Sequence, residues 1–561
     1  MFLPAYDWSF YEFDEENDPQ NYGVLLCDII HGTPPFRPLY IGVGWYWYYH
    51  GFRYAAETLH VPTTKGWDSR FVNGMPYITG IPTTEEEAKQ REPIFREKIK
   101  PFIEDFDGVW EPLKAELMAT YQEVKKKYGV EKYADIKKLS NIDLMQMFND
   151  FVFHVNRREG EIHMIIMTAT YYLFGLLQEM WQELFGVPAA VDPLYAKLLT
   201  GFDSQLFRIN KELWRLGDRA VELGLGNLFQ TTEDNEQLLA KLEQSDGGKK
   251  WLAEYRNFLE LHGWRCERMQ EWSTPSWLEK PSLGMPSIKV SIAAGRTYTL
   301  DKEREQRAKE REQAEKEVLA KVPADKREWF TGLLRASQKA GYWSEDHTYY
   351  SDYYVAAMGR WIVMEFGRRF TQAGVIDDPE DVHFLHPDEI RKAAIPMGRV
   401  NLRPYVERRK KAWEQNLKIE AKPFYGNIAL AQDVLRRDPT LSVSTQVPIV
   451  REELKADLYG AAAAPGMAEG IARLIMTVDK LAELKPGEIL VAPGTAAPWT
   501  PAFGIVKGVI TDGGGALAHP VIVAREYGIP CVAGCIEATK KIKTGDRVRV
   551  DGNLGVVYIL R

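Results

Sequence analysis

A chain of 561 residues, 45% hydrophobic and 27% charged, is long enough for about two to four domains with sizeable cores and is too apolar to be disordered. Its formal net charge of −8 gives no electrostatic reason to expect nucleic acid or an anionic membrane as a partner. Four cysteines, Cys27, Cys266, Cys531 and Cys535, are too sparse for a disulfide framework, so reduced thiols in a cytoplasmic protein are expected.

The N-terminus MFLPAYDWSFYEFDEEND is acidic and lacks the basic start of a signal peptide. Residues 1–80 are rich in Pro, Gly and aromatics, and read as irregular apart from one helix in GWYWYYHGFRYAAETL. There Trp45, Tyr49 and Phe52 fall at i, i+4 and i+7, one face of a helix. That face suits either core packing or an aromatic lining for a flat ligand. TTKGWDSRFVNGMPYITGIP reads as turns and short strands around Asn73-Gly74.

From Thr83 to about Leu261 the periodicity is helical, opening on Thr83-Thr84-Glu85-Glu86-Glu87 with acids in the first turn. Long periodic segments fall near 110–127, 142–185, 194–223 and 235–261. The apolar run Met164–Leu177 is shorter than the ~20 residues of a membrane span and is flanked by Glu159, Glu161 and Glu179, so it reads as a buried helix. LHGWRCERMQEWSTPSWLEKPS then breaks the helices with a polar and aromatic stretch of the kind that lines pockets. In it His262 and Arg265 are candidates to meet an anionic or phenolic group, although Arg265 also suits a helix cap.

Residues 299–322 form a charged helix with Glu and Lys or Arg in i,i+4 order, the pattern of a solvated face. VHFLHPDEI reads as a short strand running into a helix, and its His383 and His386 lack a third ligand of the right type, so no metal site is expected. Residues 396–456 read as a connector that includes a basic helix. Beyond it, residues 457–561 carry short β-branched segments broken by Gly and Pro, with one helix after His519. The expected organisation is multidomain: a large, mainly α-helical domain over 1–395, the connector, and a compact α/β module.

Within TDGGGALAHPVIVAREYGIPCVAG, Gly513, Gly514 and Gly515 allow the backbone to approach an oxyanion closely. Pro520 suits the first turn of a helix, which places His519 at a helix N-terminus. A phosphoryl group on that imidazole would meet the positive dipole end, and the same dipole favours the neutral, nucleophilic ring.

Residues 460–561 closely resemble the mobile phosphohistidine domain of the phosphoenolpyruvate-utilising enzymes. The resemblance rests on Pro465-Gly466, Ala468-Glu469-Gly470, Lys485-Pro486-Gly487-Glu488, Ala492-Pro493, Trp499-Thr500-Pro501, Thr511-Asp512, Gly514-Gly515, His519 and Ala524-Arg525-Glu526-Tyr527-Gly528-Ile529-Pro530. It implies a swivelling domain in which His519 is phosphorylated, with Gly513, Gly514, Gly515 and Arg525 around the phosphoryl group. Leu517-Ala518 stand where the dikinases have Thr-Ser, so control through that threonine is not expected. YSDYYVAAMGRWIVMEFGRRF and GVIDDPEDVHFLHPDEI resemble, more weakly, the helical acceptor domain of the rifampin enzyme.

No segment ahead of the helical body reads as an ATP-grasp domain, a split that resembles phenylphosphate synthase and related phenol-phosphorylating kinases. That resemblance implies a separate ATP-grasp subunit binding ATP and Mg²⁺, with no cofactor held tightly by this chain. It also implies a phenolic acceptor, giving an aryl phosphate with AMP and phosphate as co-products. A phenol has a pKa near ~10, so a base or cation must favour phenolate as the P–N bond breaks. His262, Arg265 and His347 are candidates for that role, and Trp272, Trp45 and Tyr49 for walls around the ring. The alternatives are a phosphocarrier without small-molecule chemistry and a component of a rifampin-type antibiotic phosphotransferase.

Overall fold

The computed structural model describes residues 23–560 except residue 33 and residues 190–191, 269–270, 295–299, 444–451 and 516–517. The acidic N-terminal stretch and Leu517 lie outside the described residues. The chain divides into two units, one of Met1–Tyr171, Arg268–Thr274 and Tyr350–Leu441, the other of Tyr172–Glu267, Pro275–Tyr349 and Ser442–Arg561.

The first unit contains a four-stranded antiparallel sheet of β1 (Val24–Cys27), β2 (Thr64–Val72), β3 (Met75–Pro82) and β4 (Phe424–Gly426), in the order β2-β3-β1-β4. Asn73 and Gly74 have φ of 54° and 76°, the left-handed pair that a two-residue hairpin needs, and they set the β2–β3 register. The helix Tyr46–Leu59 packs on β2, with Phe52 stacked on Trp67 at a centroid distance of 3.5 Å. Trp45, at the end of a π-helical turn, is fully buried among Phe36, Tyr48 and Phe71, and its Nε1 donates to Ser69 Oγ at 3.0 Å. The aromatic stripe is therefore core, because alternate residues of β2 supply the surface it covers.

β4 comes from the segment expected as connector. In the same stretch Trp413 Nε1 donates to the Pro35 carbonyl at 2.9 Å, and Thr440 accepts from Trp67 Nε1 at 3.0 Å. Residues 396–441 are thus built into the first unit rather than spanning between bodies. VHFLHPDEI also differs from expectation. Asp378 caps a 3₁₀ turn at Pro379–Phe384 and His386 leads into the helix Pro387–Ala393, so local capping overrides the weak strand pattern.

Helices fill the rest of this unit. Glu85–Glu104 opens on a capping box in which the Thr84 side chain accepts from Glu87 N and Glu87 accepts from Thr84 N. Asn141–Asp150 continues through a π-helical segment into Arg157–Phe185. This run is long and apolar enough to cross a membrane by length and composition, yet 78% of its most apolar window is buried inside the protein, as in a core helix.

In the second unit the expected 194–223 helix is split into Pro193–Lys197 and Gln205–Glu222, because Gly201 is left-handed (φ 79°) and Ser204 caps the second helix. Asn235–Leu242, Asp246–His262 and Met285–Ala293 complete a helical cluster centred on Trp251, Tyr255 and Trp277. The helix Leu300–Lys321 does more than present charge to solvent. Arg304 and Arg311 lie over the Phe207 and Phe202 rings, and Arg311 donates to the Thr200 and Gly201 carbonyls.

The C-terminal module of this unit is an eight-stranded sheet: β5 (Leu458–Tyr459), β6 (Ala461–Ala464), β7 (Met467–Leu474), β8 (Ile489–Ala492), β9 (Gly508–Thr511), β10 (Cys531–Ala533), β11 (Arg547–Asp551) and β12 (Val556–Leu560). Its order is β5-β12-β11-β7-β8-β9-β10-β6. β7 to β10 run parallel and the flanking strands antiparallel. Fully buried β8 and β9 are the near-continuous apolar strands a parallel centre requires. The module packs on the helical cluster: Trp214 and Val290 share a core with Trp499, Ala502 and Phe503, and Ser287 Oγ donates to the Pro498 carbonyl at 2.8 Å.

In the first unit, Tyr46–Leu59 meets Arg157–Phe185 where Gly51 approaches the Gly160 carbonyl so closely that an added Cβ would lie 2.3 Å from it. Gly51→Ala is expected to lower stability by about 1–3 kcal/mol. Urea unfolding followed by tryptophan fluorescence checks this, and an unchanged midpoint would show that the helices are not in close contact.

Candidate functional site: a histidine at a helix start

In parallel sheets, ligands gather beyond the C-terminal strand ends. Here the loops that follow β8 and β9 converge on His519. The loop after β8 brings Thr495 and Thr500, and the glycine loop after β9 leads into the helix His519–Tyr527. Ala518 is its N-cap, with extended backbone, and Pro520 lies in the first turn, as the sequence indicated.

The glycine loop is braced rather than open. Gly513 N donates to the Pro493 carbonyl at 2.8 Å, so this amide is already committed and is not offered to an anion. Gly514 is left-handed (φ 119°), and Gly534, itself at φ 77°, comes so near that an added Cβ would lie 2.8 Å from the Gly514 carbonyl. Asp512 accepts from Thr539 N at 2.9 Å and from the Thr539 hydroxyl, tying the loop to the segment that follows β10.

His519 is half-buried and enclosed by protein on most sides. Its Nδ1 lies 2.8 Å from Thr495 Oγ1 and its Nε2 lies 3.4 Å from Thr500 Oγ1. Phe503 meets the ring edge-on at 6.1 Å. In the tautomer that carries its proton on Nδ1, the ring donates to Thr495 Oγ1 and Nε2 keeps the lone pair of a nucleophile. Enclosure first, and Arg265 second, push the imidazole pKa down to about 3, so the ring is neutral at physiological pH. The sequence argument credited the helix dipole with this shift; desolvation and a neighbouring cation are the larger causes. A guanidinium that disfavours imidazolium would also favour an anionic group at the ring.

Arg265 is buried, with its guanidinium over the Trp277 ring at 5.1 Å. His262 sits near it, 3.7 Å from Glu212 and with buried Nδ1 lacking a hydrogen-bond partner; burial, and then Arg265, lower its pKa against the opposing Glu212. The fold thus brings Arg265 to His519, with His262 beside it. Arg525, six residues on in the same helix, faces Tyr195, Cys531 and Glu526 instead. His347 stacks on Trp343 at 4.8 Å and is not among the partners of His519. Trp45, Tyr49 and Trp272 belong to the first unit: Tyr49 donates to Asp68 at 3.4 Å beneath Arg53, and Trp272 packs on Phe151 and Gly359. Thr495 was not singled out from the sequence, and Thr500 only as part of Trp499-Thr500-Pro501, without a role at the histidine. Their position just after a buried parallel strand was the available signal.

Residues 484–555 match the PEP-utilising enzyme mobile domain, and residues 161–345 match the rifampicin phosphotransferase fourth domain. The C-terminal module is thus similar to the mobile domain of the PEP-utilising enzymes. It is 29% identical over 408 residues to an uncharacterised phosphotransferase, YvkC, of Bacillus subtilis, covering 71% of this chain and 47% of that protein. It is 29% identical over 406 residues to a rifampicin phosphotransferase of a Streptomyces species (70% and 44%). A probable phosphoenolpyruvate synthase of Pyrococcus horikoshii is 31% identical over 221 residues (37% and 27%). The chain therefore spans less than half the length of these relatives.

Because the folded pKa of His519 lies below the unfolded value, the unfolded chain takes up the proton first. The site contributes its full stability above pH ~6.5 and loses it as pH falls toward about 3. Arg265→Gln removes a positive neighbour and is expected to raise the His519 pKa. Titration of the imidazole resonances by NMR checks both statements, and an ordinary histidine pKa in the wild type would contradict them.

Proposed function

We propose that this chain is the acceptor and phosphohistidine part of a phosphotransferase that moves a phosphoryl group from His519 to the hydroxyl of a phenolic compound. In this reading a separate ATP-grasp subunit, holding ATP and Mg²⁺, phosphorylates His519 and releases AMP and phosphate. The observation that carries the reading is the state of His519: neutral, with Nδ1 2.8 Å from Thr495 Oγ1 and Nε2 meeting only the more distant Thr500 hydroxyl at 3.4 Å. Phosphoryl transfer needs in-line positioning and charge neutralisation more than covalent help, which a buried arginine and a rigid loop supply.

A second reading, transfer to a rifampicin-like antibiotic, is favoured by the match of residues 161–345 to a rifampicin phosphotransferase domain. Phenols and rifampicin offered in parallel to the phosphorylated chain separate the two. His519→Ala is expected to lower aryl phosphate formation by at least ~10³-fold, the scale of losing an essential nucleophile. Product formation is followed by ³¹P NMR; wild-type rates in that variant would exclude a phosphohistidine route.

A further inference from the structure

Within the second unit, the hold of the C-terminal module on the helical cluster includes an ionisable contact that the proposed chemistry leaves unused. Thr495 and Thr500, the hydroxyl neighbours of the His519 ring, belong to the module itself and stay with the histidine wherever it goes. Arg265 is different. It follows the helix Asp246–His262 of the cluster, so its effect on the imidazole lasts only while module and cluster are together. Whatever fixes the helix His519–Tyr527 on the cluster therefore sets the electrostatics of the ring.

That helix is gripped at its far end. Glu526 accepts from Gly201 N at 3.0 Å, while the Thr200 and Gly201 carbonyls accept from Arg311 at 2.8 and 2.9 Å. The loop is wedged in place, because Gly201 is left-handed (φ 79°) and an added Cβ would lie 2.6 Å from Ala308 N. It presents a fixed amide to the helix. Arg307, four residues before Arg311 on the same helix face, packs against the left-handed C-cap Gly528, where a cation meets the negative dipole end.

Glu526 is half-buried and lines a cavity of about 40 Å³ whose other walls include Phe174, Leu199, Phe202 and Phe207. Enclosure by these groups raises its pKa to about 7, although the Gly201 amide, Arg307 and Arg311 all favour the carboxylate. Arg525 and Tyr527 flank it on its own helix, Tyr342 stands across the cavity, and Asp203 in the loop is engaged by Arg208 and Arg304. Away from the cluster the carboxyl meets water and returns to the ordinary value of 4.5.

We propose that Glu526 is a positioning residue whose contact with Gly201 latches the histidine helix to the helical cluster, beside Arg265. The latched carboxyl keeps its proton more firmly than the released one. The latch therefore has its full strength below pH 4.5 and loses it as pH rises through about 7. This rests on the phosphohistidine reading for its purpose, since a carrier has to leave the cluster, but the contact is testable without phosphate.

In the full chain, hydrogen exchange at the Gly201 amide and NMR titration of His519 report the latch from its two ends. Protection of Gly201, corrected for intrinsic exchange, is expected to fall at least ~10-fold between about pH 5 and about pH 8. Glu526→Gln keeps an acceptor of the same shape without the charge. It is expected to show no such fall, and at about pH 8 to protect Gly201 at least ~10-fold better than the wild type. Glu526→Ala is expected to lose the protection at every pH and to raise the His519 pKa. If the carboxylate serves only as an ion-pair partner of Arg307 and Arg311, Glu526→Gln protects less than the wild type at high pH, which would overturn the proposal. Unchanged Gly201 exchange and His519 titration in Glu526→Ala would overturn it as well. Either result leaves the phosphohistidine reading standing, because His519→Ala tests that reading alone.

Discussion

The hydrogen bond between Thr495 and His519 Nδ1 is the constraint on which the site depends. In a neutral histidine ring one nitrogen carries the proton and the other the lone pair, and the hydrogen bonds around the ring select which is which. Here a threonine on the loop after β8 fixes one, and burial with Arg265 keeps the ring neutral, so the other is nucleophilic. The rest of the module serves this pairing. Two buried parallel strands end side by side, and the loops that follow them hold the two partners of the bond.

The helix His519–Tyr527 is fastened to the helical cluster at its far end as well. Glu526 accepts from Gly201 N at 3.0 Å, and burial raises its pKa to about 7 against the pull of Arg307 and Arg311. Tyr527 OH accepts from Asn210, and Arg307 packs against Gly528. A domain that carries phosphate between a donor and an acceptor has to release such contacts. Beneath them lies the core that Trp214 and Val290 share with Trp499, Ala502 and Phe503.

Much of this was legible in the residues. Three successive glycines, a histidine before proline and an apolar helix mark the loop and helix around His519, and the helical body follows from its 3.6-residue period. What escaped depended on long-range packing. The aromatic stripe of Trp45, Tyr49 and Phe52 resembles a binding face until β2 covers it, and residues 396–441 resemble a connector until Phe424–Gly426 pairs with β1. The arginines of Leu300–Lys321 read as solvated because nothing local shows that Phe202, Phe207 and the histidine helix lie against them. Of the two arginines singled out, Arg265 acts electrostatically on His519, whereas Arg525 faces Tyr195, Cys531 and Glu526.

The central claim is that Nε2 of His519 carries the phosphoryl group. Its most direct test is to phosphorylate ¹⁵N-histidine-labelled chain and assign the modified nitrogen by ³¹P–¹⁵N correlation NMR. The account predicts a single phosphoramidate on Nε2, with Nδ1 still protonated toward Thr495. A phosphoryl group on Nδ1, or on a residue other than His519, would contradict it.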